Sequence, residues 1–92
     1  MKRNLSAQHV TMYKFVCRTW REAGYPIQGV PIPEPRLTRL LHVSARSVRQ
    51  YKFDLEPYIV VQHGGRSHPR RYRPAVSKAD IARLQATAAG SV

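Results

Sequence analysis

Four of the chain's seven prolines, Pro26, Pro31, Pro33 and Pro35, crowd into residues 25–35. Proline fixes φ, lacks an N–H and biases the preceding residue toward extended backbone. No helix runs through such a stretch, so the chain divides into a part before it and a part after it. The stretch itself is expected to be a connection, with a short strand near residues 28–32.

Before the prolines, residues 6–23 have one apolar face. Wound as a helix, Met12, Tyr13, Phe15, Val16, Thr19, Trp20 and Ala23 share an arc of about 160°, with Lys14, Arg18 and Arg21 opposite. Ser6 suits the cap and Gly24 the stop. After the prolines, Pro35 suits the first position of a short helix carrying Leu37, Leu40 and Leu41. His42-Val43-Ser44 interrupts it, and Ser44 suits the cap of a second helix over residues 45–55. On that helix Ser44, Val48, Tyr51 and Leu55 point one way, while Arg46, Arg49, Gln50 and Phe53 occupy an opposite arc of about 100°.

Pro57 ends the second helix. Residues 58–62 are β-branched and aromatic, as strands are. Residues 63–69 contain Gly64, Gly65 and Pro69 and read as a loop; residues 70–73 return as a strand until Pro74 stops it. Ser77 and Asp80 resemble a capping box for a last helix over residues 77–89, with a narrow stripe of Ile81, Leu84 and Ala88. Residues 90–92 are expected to fray. The fold class is α+β: three helices and a basic hairpin as one domain over residues 1–76, with an appended helix in residues 77–92.

The chain has 92 residues, 16 Lys and Arg against 5 Asp and Glu, and a formal charge of +11. The cations are clustered. Residues 36–53 hold Arg36, Arg39, Arg46, Arg49 and Lys52 with no acid, and residues 57–79 hold Arg66, Arg70, Arg71, Arg73 and Lys78, again with none. Solubility needs neither one sign nor two blocks, whereas a polyanion rewards both.

Other chemistries have little to stand on. No apolar run approaches the ~18 residues of a membrane span, and no signal-like apolar stretch follows Met1. The single cysteine, Cys17, borders the apolar arc of the first helix and reads as structural; one cysteine points to a cytoplasmic chain. His9, His42, His63 and His68 do not form a metal pattern with it. The scattered acids offer no paired carboxylates, and there is no nucleotide-binding glycine loop. The expectation is a non-enzyme with no metal, no cofactor, no membrane partner and no evident small-molecule effector.

Residues 37–51, Leu-Thr-Arg-Leu-Leu-His-Val-Ser-Ala-Arg-Ser-Val-Arg-Gln-Tyr, resemble the helix-turn-helix of bacterial and phage regulators, with Thr38, Val43, Ser44, Ser47 and Val48 on matching positions. Followed by a basic hairpin, they make residues 5–74 similar to the winged helix-turn-helix family. Residues 5–26 also resemble the first helix of such domains in SOS-type repressors. His42 stands where the family usually has Gly, at a position often held at positive φ, which histidine tolerates better than most residues. Lys52 replaces a usual apolar residue, leaving the packing to Tyr51 and Leu55 while its stem lies along the edge.

The resemblance implies a binder of double-stranded DNA. Arg46, Arg49 and Gln50 would read base edges in the major groove. Ser44 and Ser47 would hold phosphate at the helix start, with Arg36 and Arg39 beside the groove. The wing residues Arg66, His68, Arg70, Arg71 and Arg73 would reach the minor groove or its phosphates. Phe53 either touches a thymine methyl, packs under the wing or sits in a dimer contact. A small, repressor-like transcriptional regulator, nucleoid-associated, is the leading expectation; Ile81, Leu84 and Ala88 either form a dimer contact or dock the last helix on the domain's own core. An excisionase-like or replication-accessory protein shares the fold; a module binding an acidic protein partner is the alternative of another class. RNA is disfavoured by the lack of repeated exposed aromatics.

Overall fold

Ser6 caps the first helix, α1 (Ala7–Glu22), by accepting the His9 backbone N–H on Oγ at 3.4 Å. The reciprocal bond of the capping box comes from histidine: His9 Nδ1 accepts the Ser6 backbone N–H at 2.9 Å. The computed structural model describes residues 5–90. Met12, Phe15, Val16 and Trp20 are buried on α1, and Tyr13 and Thr19 are half-buried. Ala23, expected on the same face, is the C-cap and is exposed.

The proline segment folds back onto α1. Gly24 and Tyr25 both turn through positive φ, at 85° and 59°. The Trp20 indole N–H then donates to the Pro26 carbonyl at 2.7 Å. The expected strand shrinks to β1 (Val30–Pro31), an edge strand where the missing proline N–H is tolerated.

Helix α2 (Glu34–Leu41) starts one residue earlier than Pro35 suggests, with Pro33 as N-cap and Pro35 second. Glu34 complements the positive helix start. The helix ends at His42, whose φ of 55° and ψ of 45° put it in the left-handed region; its N–H and that of Val43 both reach the Thr38 carbonyl. Ser44 then caps α3 (Ala45–Asp54), accepting the Ser47 N–H at 3.2 Å.

A tight turn, with Tyr58 and Ile59 N–H groups on the Leu55 carbonyl, leads into β2 (Ile59–Gln62). Its partner β3 (Arg71–Pro74) is shifted by one from expectation: Arg70 precedes it, and Pro74 ends it paired with Ile59 rather than stopping it. Tyr58 lies in the turn, half exposed. Among the described residues the chain thus forms four helices and a three-stranded antiparallel sheet of order β1-β3-β2.

Helix α4 (Lys78–Ala89) is capped by Ser77, which accepts the Asp80 N–H at 3.1 Å. The Asp80 carboxylate pairs with Arg83. Ile81 is 1% exposed within the common core, with Leu84 packed against it; Ala88 is exposed. The expected contact surface of Ile81, Leu84 and Ala88 therefore loses Ile81, because the domain's own core takes it. Gln85 adds a hydrogen bond to the Tyr25 carbonyl at 2.8 Å. Ser91 and Val92, expected to fray, lie outside the described residues.

One core unites these elements. Met12 and Val16 meet Leu37, Val48, Leu55 and Tyr72, all at most 1% exposed. Each such aliphatic side chain contributes about 2 kcal/mol by leaving water. Val48 on α3 and Leu55 at its C-terminal cap anchor that helix by one side.

Candidate nucleic-acid interface

With Val48 and Leu55 buried, the rest of α3 is presented outward. Arg46, Arg49, Gln50 and Phe53 are exposed, and Tyr51 and Lys52 are half-buried. Phe53 is 56% exposed, so it stands on the outward face and not under the hairpin. Ser44, grouped by periodicity with the buried face, is exposed because its oxygen serves the helix cap. Ser44 and Ser47 sit together at the start of α3, their hydroxyl oxygens 3.2 Å apart.

Lys52 on α3 lies within electrostatic reach of Arg70, just before β3. Burial pushes its ammonium below the usual lysine range, and Arg70 pushes it further down; Glu34 raises it and Arg49 lowers it. Three cations and one carboxylate from α2, α3 and the loop just before β3 thus share one electrostatic field. The same Arg70 and Glu34 act on Tyr72, whose hydroxyl is pushed up to about 12, chiefly by burial. Beside them lies an open cleft of about 250 Å³, lined by Glu34, His63, His68, Arg70 and Tyr72 among others.

The remaining cations divide by environment. Arg39, Arg66, His68 and Arg70 are exposed. Arg36 is also exposed, its guanidinium 5.1 Å above the Phe15 ring on α1. Arg71 and Arg73 are half-buried on the β3 face opposite Tyr72. Arg71 donates to the Gly29 carbonyl at 3.2 Å, binding β3 to the segment before β1. Arg73 donates to the carbonyls of Pro74 at 3.1 Å and Val76 at 3.0 Å, fastening the link to α4. These two arginines are occupied with main chain, unlike Arg66 and Arg70.

Sequence reasoning missed Glu34, His9 and Asp54. His9 carries a weak signal: it stands at the third helical position after Ser6, where a capping box usually has Glu or Gln. Its bond to Asp54, 45 residues away, has no local signal. Gln50 donates from Nε2 to Asp54 Oδ1 at 2.9 Å. Cys17 is half-buried, and its side chain beside Tyr13, together with burial, raises the tyrosine pKa. Among the described residues, no three His, Cys, Asp or Glu side chains are grouped as a metal site requires. No helix among them is long and apolar enough to cross a membrane. Comparison with protein families, curated proteins and solved structures finds no match for the chain.

Proposed function

We propose that this chain is a sequence-specific binder of double-stranded DNA, a winged helix-turn-helix acting as a small transcriptional regulator. The observation that carries the reading is the presentation of α3. It is buried through Val48 and Leu55 and offers Arg46, Arg49 and Gln50 to solvent, beside a hairpin with Arg66 and Arg70 exposed. An α-helix fits the major groove, where guanidinium pairs with guanine and a carboxamide with adenine. The element order and the β1-β3-β2 sheet support the winged-helix reading, as does the left-handed His42 at the turn. Ser44, Ser47 and the free amides at the start of α3 would take a phosphate; Arg39, Arg66 and Arg70 would flank it.

Selection of a random-sequence duplex library tests this, comparing wild type with an Arg46→Ala, Arg49→Ala double variant across a salt series. A motif enriched by wild type and lost in the variant, with salt-sensitive general binding retained, is the expected result. Failure to enrich any motif, with equal salt dependence in both proteins, would remove base reading by α3.

A further inference from the structure

His9 is buried, at 6% exposure. Its ring is bonded on both sides. Nδ1 lies 2.9 Å from the Ser6 backbone nitrogen, which can only donate, so Nδ1 accepts and carries no proton. The ring proton is therefore on Nε2, which donates to Asp54 Oδ2 at 2.8 Å. Tyr51 packs against the ring with centroids 4.5 Å apart. The N-terminus of α1 thus holds the carboxylate at the end of α3.

The other oxygen of that carboxylate sets a candidate base reader. Asp54 Oδ1 accepts from Gln50 Nε2 at 2.9 Å. An ionised carboxylate only accepts, so the Gln50 amide must turn its nitrogen toward Asp54 and cannot flip without losing the bond. One N–H is used there; the second N–H and Oε1 remain. That donor and acceptor match N7 and N6 of adenine. An isolated Gln–Asp pair on a helix surface is weak and mobile. Here the carboxylate is itself tethered by a buried ring.

We infer that His9 is a positioning residue for base recognition: through Asp54 it holds the Gln50 carboxamide in one orientation, preset for an adenine. The inference rests on the DNA-binding reading above. Glutamine has many rotamers to lose, and fixing it before binding removes part of that cost.

Two variants keep the fold while cutting the relay. His9→Gln retains the usual capping-box partner for Ser6 but not the ring that spans to Asp54. Asp54→Asn leaves one side-chain acceptor oxygen where His9 Nε2 and Gln50 Nε2 each use a separate one. In the free protein, NMR order parameters should show the Gln50 side-chain amide more rigid than that of exposed Gln8, and equally mobile in both variants. A wild-type Gln50 as mobile as Gln8 would overturn the inference whatever DNA does. On the selected duplex, the base-pair column relaxed by Gln50→Ala should lose discrimination about fivefold in each variant, within the range of one bidentate base contact. Other columns should keep theirs, and neither variant should add an effect in a Gln50→Ala background. Equal loss at every column, together with a lower melting temperature, would make His9 purely structural and overturn the inference. If no motif is selected at all, the DNA reading falls, and the recognition role of His9 falls with it even where Gln50 stays ordered.

Discussion

Gly24 and Gly29 form a matched pair for testing how the hairpin is positioned. Both have strongly positive φ, 85° and 82°. A methyl at Gly24 would meet nothing within 4 Å, whereas at Gly29 it would lie 2.8 Å from the Tyr72 carbonyl oxygen and 3.0 and 3.1 Å from the Tyr72 carbonyl carbon and nitrogen. All three are backbone atoms of the central strand, so no side chain can swing aside. Gly24→Ala should cost only the left-handed strain of a non-glycine residue, about 1 kcal/mol. Gly29→Ala adds displacement of β1 from β3, which weakens the Ile32–Arg70 main-chain bond and the Arg71 bond to the Gly29 carbonyl. At about 1 kcal/mol for each, the total is about 3 kcal/mol. For a domain of this size the melting temperature should fall by about 5 °C in Gly24→Ala and about 15 °C in Gly29→Ala. Thermal melts followed by circular dichroism, with urea titration as a second measure, provide the comparison. If the two variants agree to within about 0.5 kcal/mol, the close approach of Gly29 to Tyr72 does not hold the sheet together and the reasoning is wrong.

Three further outcomes follow from other parts of the molecule. The Tyr72 hydroxyl is raised from 10.0 to about 12, mainly by burial, so the native state keeps a proton that the unfolded chain releases. Its contribution is whole below pH 10 and is lost as pH rises through 12, about 3 kcal/mol in all; Tyr72→Phe should show a shallower alkaline loss in urea midpoints, and parallel curves would refute this. His42 occupies the left-handed region at φ 55°, so His42→Gly should stabilise by about 0.5–1 kcal/mol and His42→Val should destabilise; a glycine variant melting below wild type would contradict it. Arg73→Met removes two hydrogen bonds to main-chain carbonyls and should cost about 2 kcal/mol, while Arg66→Ala in the exposed loop should cost under about 0.5 kcal/mol. Equal melting temperatures for these two would refute the structural role of Arg73.

The helices were legible because their signals are local. Ser6, Ser44 and Ser77 cap the three helices expected of them, and each bond joins residues three apart. The inward turn of Val48 and Leu55 follows equally from neighbours a turn or less away, whereas the positive φ at His42 is expected from the helix-turn-helix resemblance and not from its neighbours. Strand limits were less legible: β3 starts at Arg71 and includes Pro74, because pairing with β1 and β2 sets its ends and proline composition does not.

Candidate-site residues separate along the same line. The sequence alone determines that Arg46, Arg49 and Gln50 share a helix face away from Val48, since a period of 3.6 residues is a property of the helix itself. It also determines that Arg66 lies in a loop. Only the tertiary structure decides that Arg71 and Arg73 spend their guanidinium groups on main-chain carbonyls while Arg70 comes within electrostatic reach of Lys52 and helps to lower its pKa. It alone brings Ile81 into the core and His9 against Asp54 across 45 residues. Backbone periodicity and capping act over a few residues and are written in their order. Which distant polar group satisfies a buried one depends on how whole helices and strands dock, and that is settled by packing the common core.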